Sequence, residues 1–496
     1  VLSTAQALAR TVALYRKLES RRREICTARE YYEGEQPLRF ASDKWREYHA
    51  ARYERFSDNW CAPVANSPAE RLRIDGFRLS KDPTRDAAEA DLWTDWLGND
   101  MEAQASQGLL ESIITSRSCT LVWGDRDGRP VVTWERPDQA LVQYDPEIPS
   151  RRVAAIKSWH DDDTEYATLY DADAVWKWRR PYVHVETPEG GTSPRADAFF
   201  RTTAGLVVPS LGLRDWTPRE VPGEVWPLPN PIGEVPMVEW LNRPLLGGDP
   251  MSDIAGTMAM QDAINLLWAY LFTAADFASM PARVVMGQEP PKIPILDASG
   301  NKVGERTVDL KKLAEDRILW LTGQNTSIGQ WDAARLDVFT AVVETGVAHV
   351  AAQTRTPPHY LILGKGMVNI NADGMRAAEA GLVNKVGEQQ TFFTPSARAT
   401  FRLMALVRDQ VAVAEQARIG TVVWRDAENR SEAQLVDALQ KLGALGFPFR
   451  WLAERYGLSD TEVERVMQLR EAQAASDPVG VMTRQLAQLP PAPPAG

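Results

Sequence analysis

Cysteine is nearly absent from this chain: three residues, Cys26, Cys61 and Cys119, among 496. So few over that length exclude a disulfide framework and fit a reducing cytosol, and none has the Cys-x-x-Cys spacing of a metal or redox site. Histidine is also sparse. His49, His160, His184, His349 and His359 make no His-Glu-x-x-His or comparable ligand pattern. There is no Gly-x-Ser-x-Gly elbow, no cysteine in a nucleophile signature and no Walker-type loop. Gly364-Lys365-Gly366 comes nearest, but Met367 stands where a Ser or Thr is required. The run His160-Asp161-Asp162-Asp163 has ligand-type residues. Neighbours along a strand face opposite ways, however, so an acidic run between two strands reads as a solvated turn. No catalytic group, cofactor or metal is expected, and the chain does not read as an enzyme.

The sequence lacks, too, the roughly 20 consecutive apolar residues of a membrane span. Its most apolar stretch, Leu266 to Phe272, is flanked by Gln261, Asp262, Asn265 and Asp276. The segment VLSTAQALARTVALYRKLESRRREI has no compact apolar core with a cleavage site, so no signal peptide is expected. A basic excess is missing as well. The net charge is −11, so the chain as a whole repels polyanions. With 44% hydrophobic and 25% charged residues it reads as globular, and its length leaves room for about two to four domains.

Helical periodicity dominates what is present. The chain is organised around Ser252 to Gln353. SDIAGTMAMQDAINLLWAYLFTAADFAS predicts one long helix stopped by Pro281, and DAARLDVFTAVVETGVAHVAAQTR predicts another that runs to Thr356-Pro357-Pro358. At the α-helical rise these are roughly 40 Å and 35 Å long. The first is apolar on every side at Leu266, Leu267, Trp268, Ala269, Tyr270, Leu271 and Phe272. Such a helix must be covered all round, and a two-helix hairpin cannot do that alone. Either the rest of the chain or neighbouring copies must supply the cover. On the second helix Asp337, Thr340, Glu344 and Ala348 form a polar, partly acidic stripe opposite Val338, Val342 and Val350.

In chain order, residues 1–35 predict a helix with Leu8, Val12, Tyr15, Leu18 and Ile25 on one stripe. Arg21-Arg22-Arg23 reads as its solvated face, balanced by Glu19 and Glu24. Residues 58–79 predict a helix ending near Asp75-Gly76, and residues 85–118 are helical again, with an aromatic anchor at Trp93 and Trp96. At Cys119 the period becomes two. TLVWGDRDGRPVVTWERP is a hairpin turning at Asp127-Gly128, and short strands to about residue 180 extend one small antiparallel sheet. Residues 181–250 hold twelve of the 33 prolines and read as loop. Residues 280–331 form a short module with strand candidates ARVVMG and RILWLTG, a turn at Ala298 to Asn301, and seven basic against six acidic residues. A helix from about Asp373 is expected to break at Pro395 and resume to about Ala417. Ser431-Glu432-Ala433-Gln434 is a capping box, Trp451 to Tyr456 a short helix closed by Gly457, and Ser459-x-x-Glu462 caps another helix. Residues 451–470 could pose as a helix–turn–helix presenting Glu462, Glu464, Arg465 and Gln468. Glutamates against phosphate are costly, so plain helical packing is the better reading. The tail beyond Asp477, ending QLPPAPPAG, is expected to form no packed fold.

This order of elements resembles the portal proteins of tailed double-stranded-DNA bacteriophages, of the siphophage type, over about residues 20–475. The most specific pieces are YYEGEQPLRF (31–40), LVWGDRDGRPVV (121–132), IGEVPMVEWLNRP (232–244) with MQDAINLLWAY (260–270), and RTPPHYLIL (355–363) with NADGMRAAEAGL (371–382). The resemblance implies an α+β, mainly helical portal fold. Its wing would be 1–250, its stem helices 251–279 and 332–356, and its clip 280–331. The tunnel loop would be 357–371, a kinked helix returning to the wing 372–430, the crown 431–476, and a tail 477–496. It further implies a ring of identical copies, usually twelve, in the virion at one capsid vertex, assembled in the host cytoplasm without a membrane partner. Duplex DNA would pass through it, and the major capsid protein, the terminase motor and the head–tail adaptor would bind it. On this reading Asp337, Thr340, Glu344, Lys365, Asn369 and Asn371 are candidates to line the channel. Arg283, Lys292, Lys302, Arg306, Lys311 and Lys312 are candidate clip contacts, and Leu266, Leu267, Trp268, Tyr270, Leu271 and Phe272 would pack between subunits. A charge of −11 per copy becomes on the order of −130 in a twelvefold ring, which favours sliding over adhesion for a polymer with one charge per about 1.7 Å. The alternatives are another virion structural protein that does not conduct DNA, such as a minor capsid or adaptor protein, and a helix–turn–helix DNA-binding protein.

Overall fold

The first helix, Thr4–Glu33, opens on a capping box between Ser3 and Gln6 and closes on Gly34, whose φ of 77° is the left-handed cap that glycine adopts without strain. This computed structural model describes residues 2–38, 56–79, 87–182, 185–186, 192–193, 216–279, 283–286, 292–296, 302–307, 318–321, 336–361, 372–428, 432–458 and 460–476. The apolar stripe of that helix is buried as its periodicity requires. Val12, Leu14, Tyr15 and Leu18 pack against Leu141, Ile156, Trp176 and Trp178 of a sheet. The arginine face holds in part: Arg23 is exposed and Arg22 has the expected Glu19 partner, but Arg21 and Arg22 also reach other parts of the chain. Arg21 Nη1 lies 3.6 Å from Glu239, and Arg22 pairs with Glu19 and donates to the Asp138 carbonyl at 2.8 Å. The helix lies across the sheets, so what is its polar side in isolation faces other strands.

One of the predicted helices is corrected. Residues 58–79 hold a helix only over Cys61–Ala69, and the chain then forms a strand, Ile74–Arg78, antiparallel to Thr421–Trp424. Phe77 stacks on Phe401 with ring centroids 4.1 Å apart. Among the described residues this strand's only strand partner lies in the distant C-terminal half, so it leaves no local signal. Residues 85–118 hold two helices, Ala87–Gly98 and Met101–Thr115. Between them Asp100 adopts a φ of 53°, while Asn99 donates to the Pro130 carbonyl and accepts from Val132 N–H.

The single sheet expected over 119–180 is two. Pro130–Glu135, Arg117–Gly124 and Met237–Leu241 make one three-stranded sheet. Ala140–Tyr144, Arg152–His160, Thr164–Tyr170 and Ala174–Pro181 form a separate meander, and the short strands Thr217–Pro218 and Leu228–Pro229 pair with its last member. The segment read as loop therefore contributes strands, one of which takes the open edge of Arg117–Gly124. Gly128, at φ 74°, forms the predicted hairpin turn.

The central hairpin is present. Its first helix is Met258–Ser279, later than expected because Asp253 and Ile254 are buried in contacts of their own and a 3-10 turn, Ala255–Thr257, precedes it. Its second is Leu336–Thr354. Between them Arg283–Met286 pairs in parallel with Ile318–Leu321, and Lys292–Leu296 pairs antiparallel with Lys302–Thr307. The predicted break at Pro395 does not occur. One helix runs from Ala372 to Val407 through that proline, followed by Val411–Ala417. Pro395 is exposed, so the carbonyl its ring displaces can be solvated, while Phe393, Ala397 and Phe401 hold the opposite face in the core. Three C-terminal helices, Glu432–Ala444, Phe449–Tyr456 and Asp460–Ser476, complete a chain in which helix outweighs strand. The caps expected at Ser431 and Ser459 and the turn at Ala298 to Asn301 lie outside the described residues.

Candidate functional site

The hairpin Met258–Ser279 and Leu336–Thr354 carries most of the predicted site residues, and its root is fixed by polar contacts. Gln261, Asp262 and Asn265, which interrupt the apolar pattern, are all buried. Tyr31 Oη donates to Asp262 Oδ2 at 2.7 Å. The Trp60 N–H donates to Gln261 Oε1 at 2.7 Å, the Asp58 N–H to Asn265 Oδ1 at 3.0 Å, and Trp268 Nε1 to Asp58 Oδ2 at 2.7 Å. Buried polar groups are expensive unless paired, so this set fixes the helix in one rotation and register against residues 58–60.

Cover thins along the first helix. Ala269 is fully buried, but Leu266, Leu267, Trp268, Leu271 and Phe272 are only half-buried and Tyr270 is 37% exposed. Phe272 stacks on Trp268 and meets Phe56 edge-on, with centroids 5.7 and 5.3 Å apart. Aromatic self-packing covers part of the apolar surface and leaves the rest open. On the second helix Val343, Gly346, Val347, Val350, Ala351 and Thr354 form the buried face.

Asp337, Thr340 and Glu344 are exposed and share one helix face, as their spacing requires. The valines named opposite this stripe differ in their cover. Val350 is buried, but Val338 and Val342 are 51% and 48% exposed. Both sides of that part of the helix face outward in a single chain. Lys302 is exposed. Arg283, Lys292 and Arg306 lie in the short strands between the hairpin helices. Lys311, Lys312, Lys365, Asn369 and Asn371 lie outside the described residues.

Two clusters escaped the sequence reading. At the hairpin base Lys385 Nζ pairs with Asp253 Oδ2 and donates to the Thr354 carbonyl at 3.2 Å, while Asn242 and Gln389 donate to Asp253 at 2.9 and 3.1 Å. The signal was legible as an anomaly: Lys385 and Gln389 lie on the same helix stripe as Leu382, Val386 and Phe393. The second cluster brackets residues 362–371. Arg71 Nη2 donates to Tyr360 Oη at 2.7 Å and lies 3.3 Å from Glu379, to which Tyr360 Oη donates at 3.2 Å. The chain entering that segment at Pro358–Leu361 is thereby tied to the helix leaving it at Ala372. Burial raises the Tyr360 hydroxyl above its ordinary range, so it stays a donor.

Burial pushes the Cys61 thiol up to about 11 and the Cys119 thiol well above its ordinary value, so both remain protonated. Among the described residues no group of three or more His, Cys, Asp or Glu side chains could hold a metal ion, and no helix is long and apolar enough to cross a membrane.

Comparison with known proteins gives a consistent result. The family model described as "Phage portal protein, SPP1 Gp6-like" matches residues 13–478. The portal protein of Mycobacterium phage D29 is 25% identical over 431 residues, covering 83% of this chain and 78% of its own. The portal protein of Mycobacterium phage L5 is 25% identical over 395 residues, covering 76% of this chain and 70% of its own.

Proposed function

Because this chain belongs to the SPP1 Gp6-like phage portal protein family, we propose that its copies close into a ring, of about twelve subunits, at a capsid vertex of the virion. Duplex DNA passes through the central channel during packaging and ejection. In this reading the hairpin helices Met258–Ser279 and Leu336–Thr354 form the stem. The strands between them form the clip that meets a packaging motor and then a head–tail adaptor. The sheets and N-terminal helices form the wing, and the three C-terminal helices the crown. Residues 357–371, which open with the short helix Pro358–Leu361, are the segment assigned to the DNA.

The observation that carries this reading is the uncovered apolar surface of the hairpin. Val338, Val342 and Tyr270 are exposed in one subunit, and a heterologous contact that closes by rotation would cover them with the next copy. Asp337 and Glu344 on the same helix then favour passage over adhesion, because like charge keeps the phosphates from settling. Mass photometry and negative-stain imaging of the purified protein test the proposal. A ring with a hole wide enough for duplex DNA is expected, and a stable monomer or dimer would refute it. Lys365→Glu is expected to alter packaging while leaving ring assembly intact.

A further inference from the structure

A cleft of about 660 Å³ lies between the two-stranded sheet of Ile74–Arg78 with Thr421–Trp424 and the C-terminal helices. That volume falls within the range of about 300–1,000 Å³ usual for ligand sites. Trp424, Leu435, Trp451 and Tyr456 are among the cleft's lining. Trp424 is held by its indole N–H, which donates to Thr394 Oγ1 at 2.9 Å, and Trp451 packs on Phe447 with centroids 5.0 Å apart. Trp451 and Tyr456 are nevertheless 41% and 42% exposed. Each arginine of the cleft faces a carboxylate: Arg78 lies 2.6 Å from Glu454, Arg425 3.1 Å from Asp75, and Arg455 3.9 Å from Asp426. Glu428 is a fourth carboxylate in the lining, so the cleft carries no basic excess; it suits an uncharged ligand that can lie flat on aromatic rings, and it does not suit a phosphate or an acidic peptide.

This chain carries such a ligand. Residues 485–496, QLAQLPPAPPAG, contain no charged side chain and four prolines, Pro490, Pro491, Pro493 and Pro494. Proline-rich segments prefer the extended polyproline helix and dock on aromatic-lined grooves at low entropic cost. The helix Asp460–Ser476 leads toward this segment, and its Arg470 guanidinium sits 4.0 Å over the Phe449 ring, in the helix that supplies Trp451 and Tyr456. Thirteen residues separate Ser476 from Pro490. A coil of that length spans about 20 Å on average. We propose that the proline-rich segment of each chain docks in its own aromatic cleft, joining the C-terminal helices to the sheet beneath them.

The test uses the full chain carrying Ala492→p-benzoylphenylalanine, irradiated and mapped by mass spectrometry. Cross-links within one chain to residues 423–458 are expected. Trp451→Ala, and separately the fourfold variant Pro490→Ala, Pro491→Ala, Pro493→Ala and Pro494→Ala, are each expected to cut their yield at least about fivefold, the size of one lost aromatic contact. The proline variant leaves every cleft residue in place, so a folding defect of the Trp451 variant cannot imitate the result. Cross-links mapping elsewhere, cross-links joining two chains, or a proline variant that cross-links as well as its parent would overturn the proposal.

Discussion

Lys385 Nζ lies 2.7 Å from Asp253 Oδ2, with the two side chains only 4% and 0% exposed. Asp253 stands just ahead of the first hairpin helix. Lys385 sits in the long helix Ala372–Val407, and the same ammonium donates to Thr354 in the last turn of the second hairpin helix. One cation thus ties the entry and exit of the hairpin to the helix behind it, at a helix C-terminus where a positive charge is favoured.

Removing that cation leaves a buried carboxylate with neutral donors and the more distant Arg243 guanidinium, 3.7 Å away. Lys385→Met is expected to destabilise the protein by about 3–5 kcal/mol. Adding Asp253→Asn should recover part of the loss. Denaturant unfolding of the two single variants and the double variant gives the coupling energy, and a loss below about 1 kcal/mol for Lys385→Met would show that the pair is not needed.

Gly108 is a helical glycine that cannot become alanine. An added Cβ would sit 1.8 Å from the Trp134 ring. That ring is pinned by its indole N–H on Ser118 Oγ, which itself donates to the Gly108 carbonyl, both at 2.8 Å. Helix propensity favours alanine by about 1 kcal/mol, but overpacking costs about 1–3 kcal/mol. With the ring unable to retreat, the clash wins. Gly108→Ala is expected to lower the melting temperature measured by calorimetry.

Val338 and Val342 are exposed in the subunit, so Val338→Asp with Val342→Asp should leave subunit folding within about 0.5 kcal/mol per site. If the next copy covers these valines, the same substitutions place carboxylates in a closed interface. Mass photometry should then show subunits in place of rings, with circular dichroism unchanged.

Reversing the acidic face is expected to make the protein hold DNA. Asp337→Lys with Glu344→Lys should increase filter retention of duplex DNA at low salt. The gain should vanish at high salt, where the Debye length falls to about 3 Å near 1 M. Retention equal to the parent at every salt concentration would remove this face from the channel.

Burial raises the Cys61 thiol from its ordinary 9.0 to about 11. The folded chain therefore keeps this proton after the unfolded chain has lost it. The resulting stabilisation is full below about pH 9 and is lost as pH rises through about 11. Alkylation at pH 8 should modify the exposed Cys26 and spare the buried Cys61 and Cys119 until the protein unfolds.

Local pattern was enough for much of this molecule. The stripe of Thr4–Glu33, the Asp127-Gly128 hairpin and the two long hairpin helices all rest on contacts between residues a few positions apart, which period and turn chemistry record directly. What the tertiary structure decided depends on partners far along the chain. Ile74–Arg78 became a strand only because Thr421–Trp424 offered it an edge, and Met237–Leu241 emerged from a proline-rich stretch to split one expected sheet into two. Pro395 stayed within a helix because Phe393 and Phe401 were held in the core. Lys385 found Asp253 across more than a hundred residues, where no sequence period could register the pairing. The outward valines at 338 and 342 could be recognised as uncovered only once every other part of the described chain had taken its place.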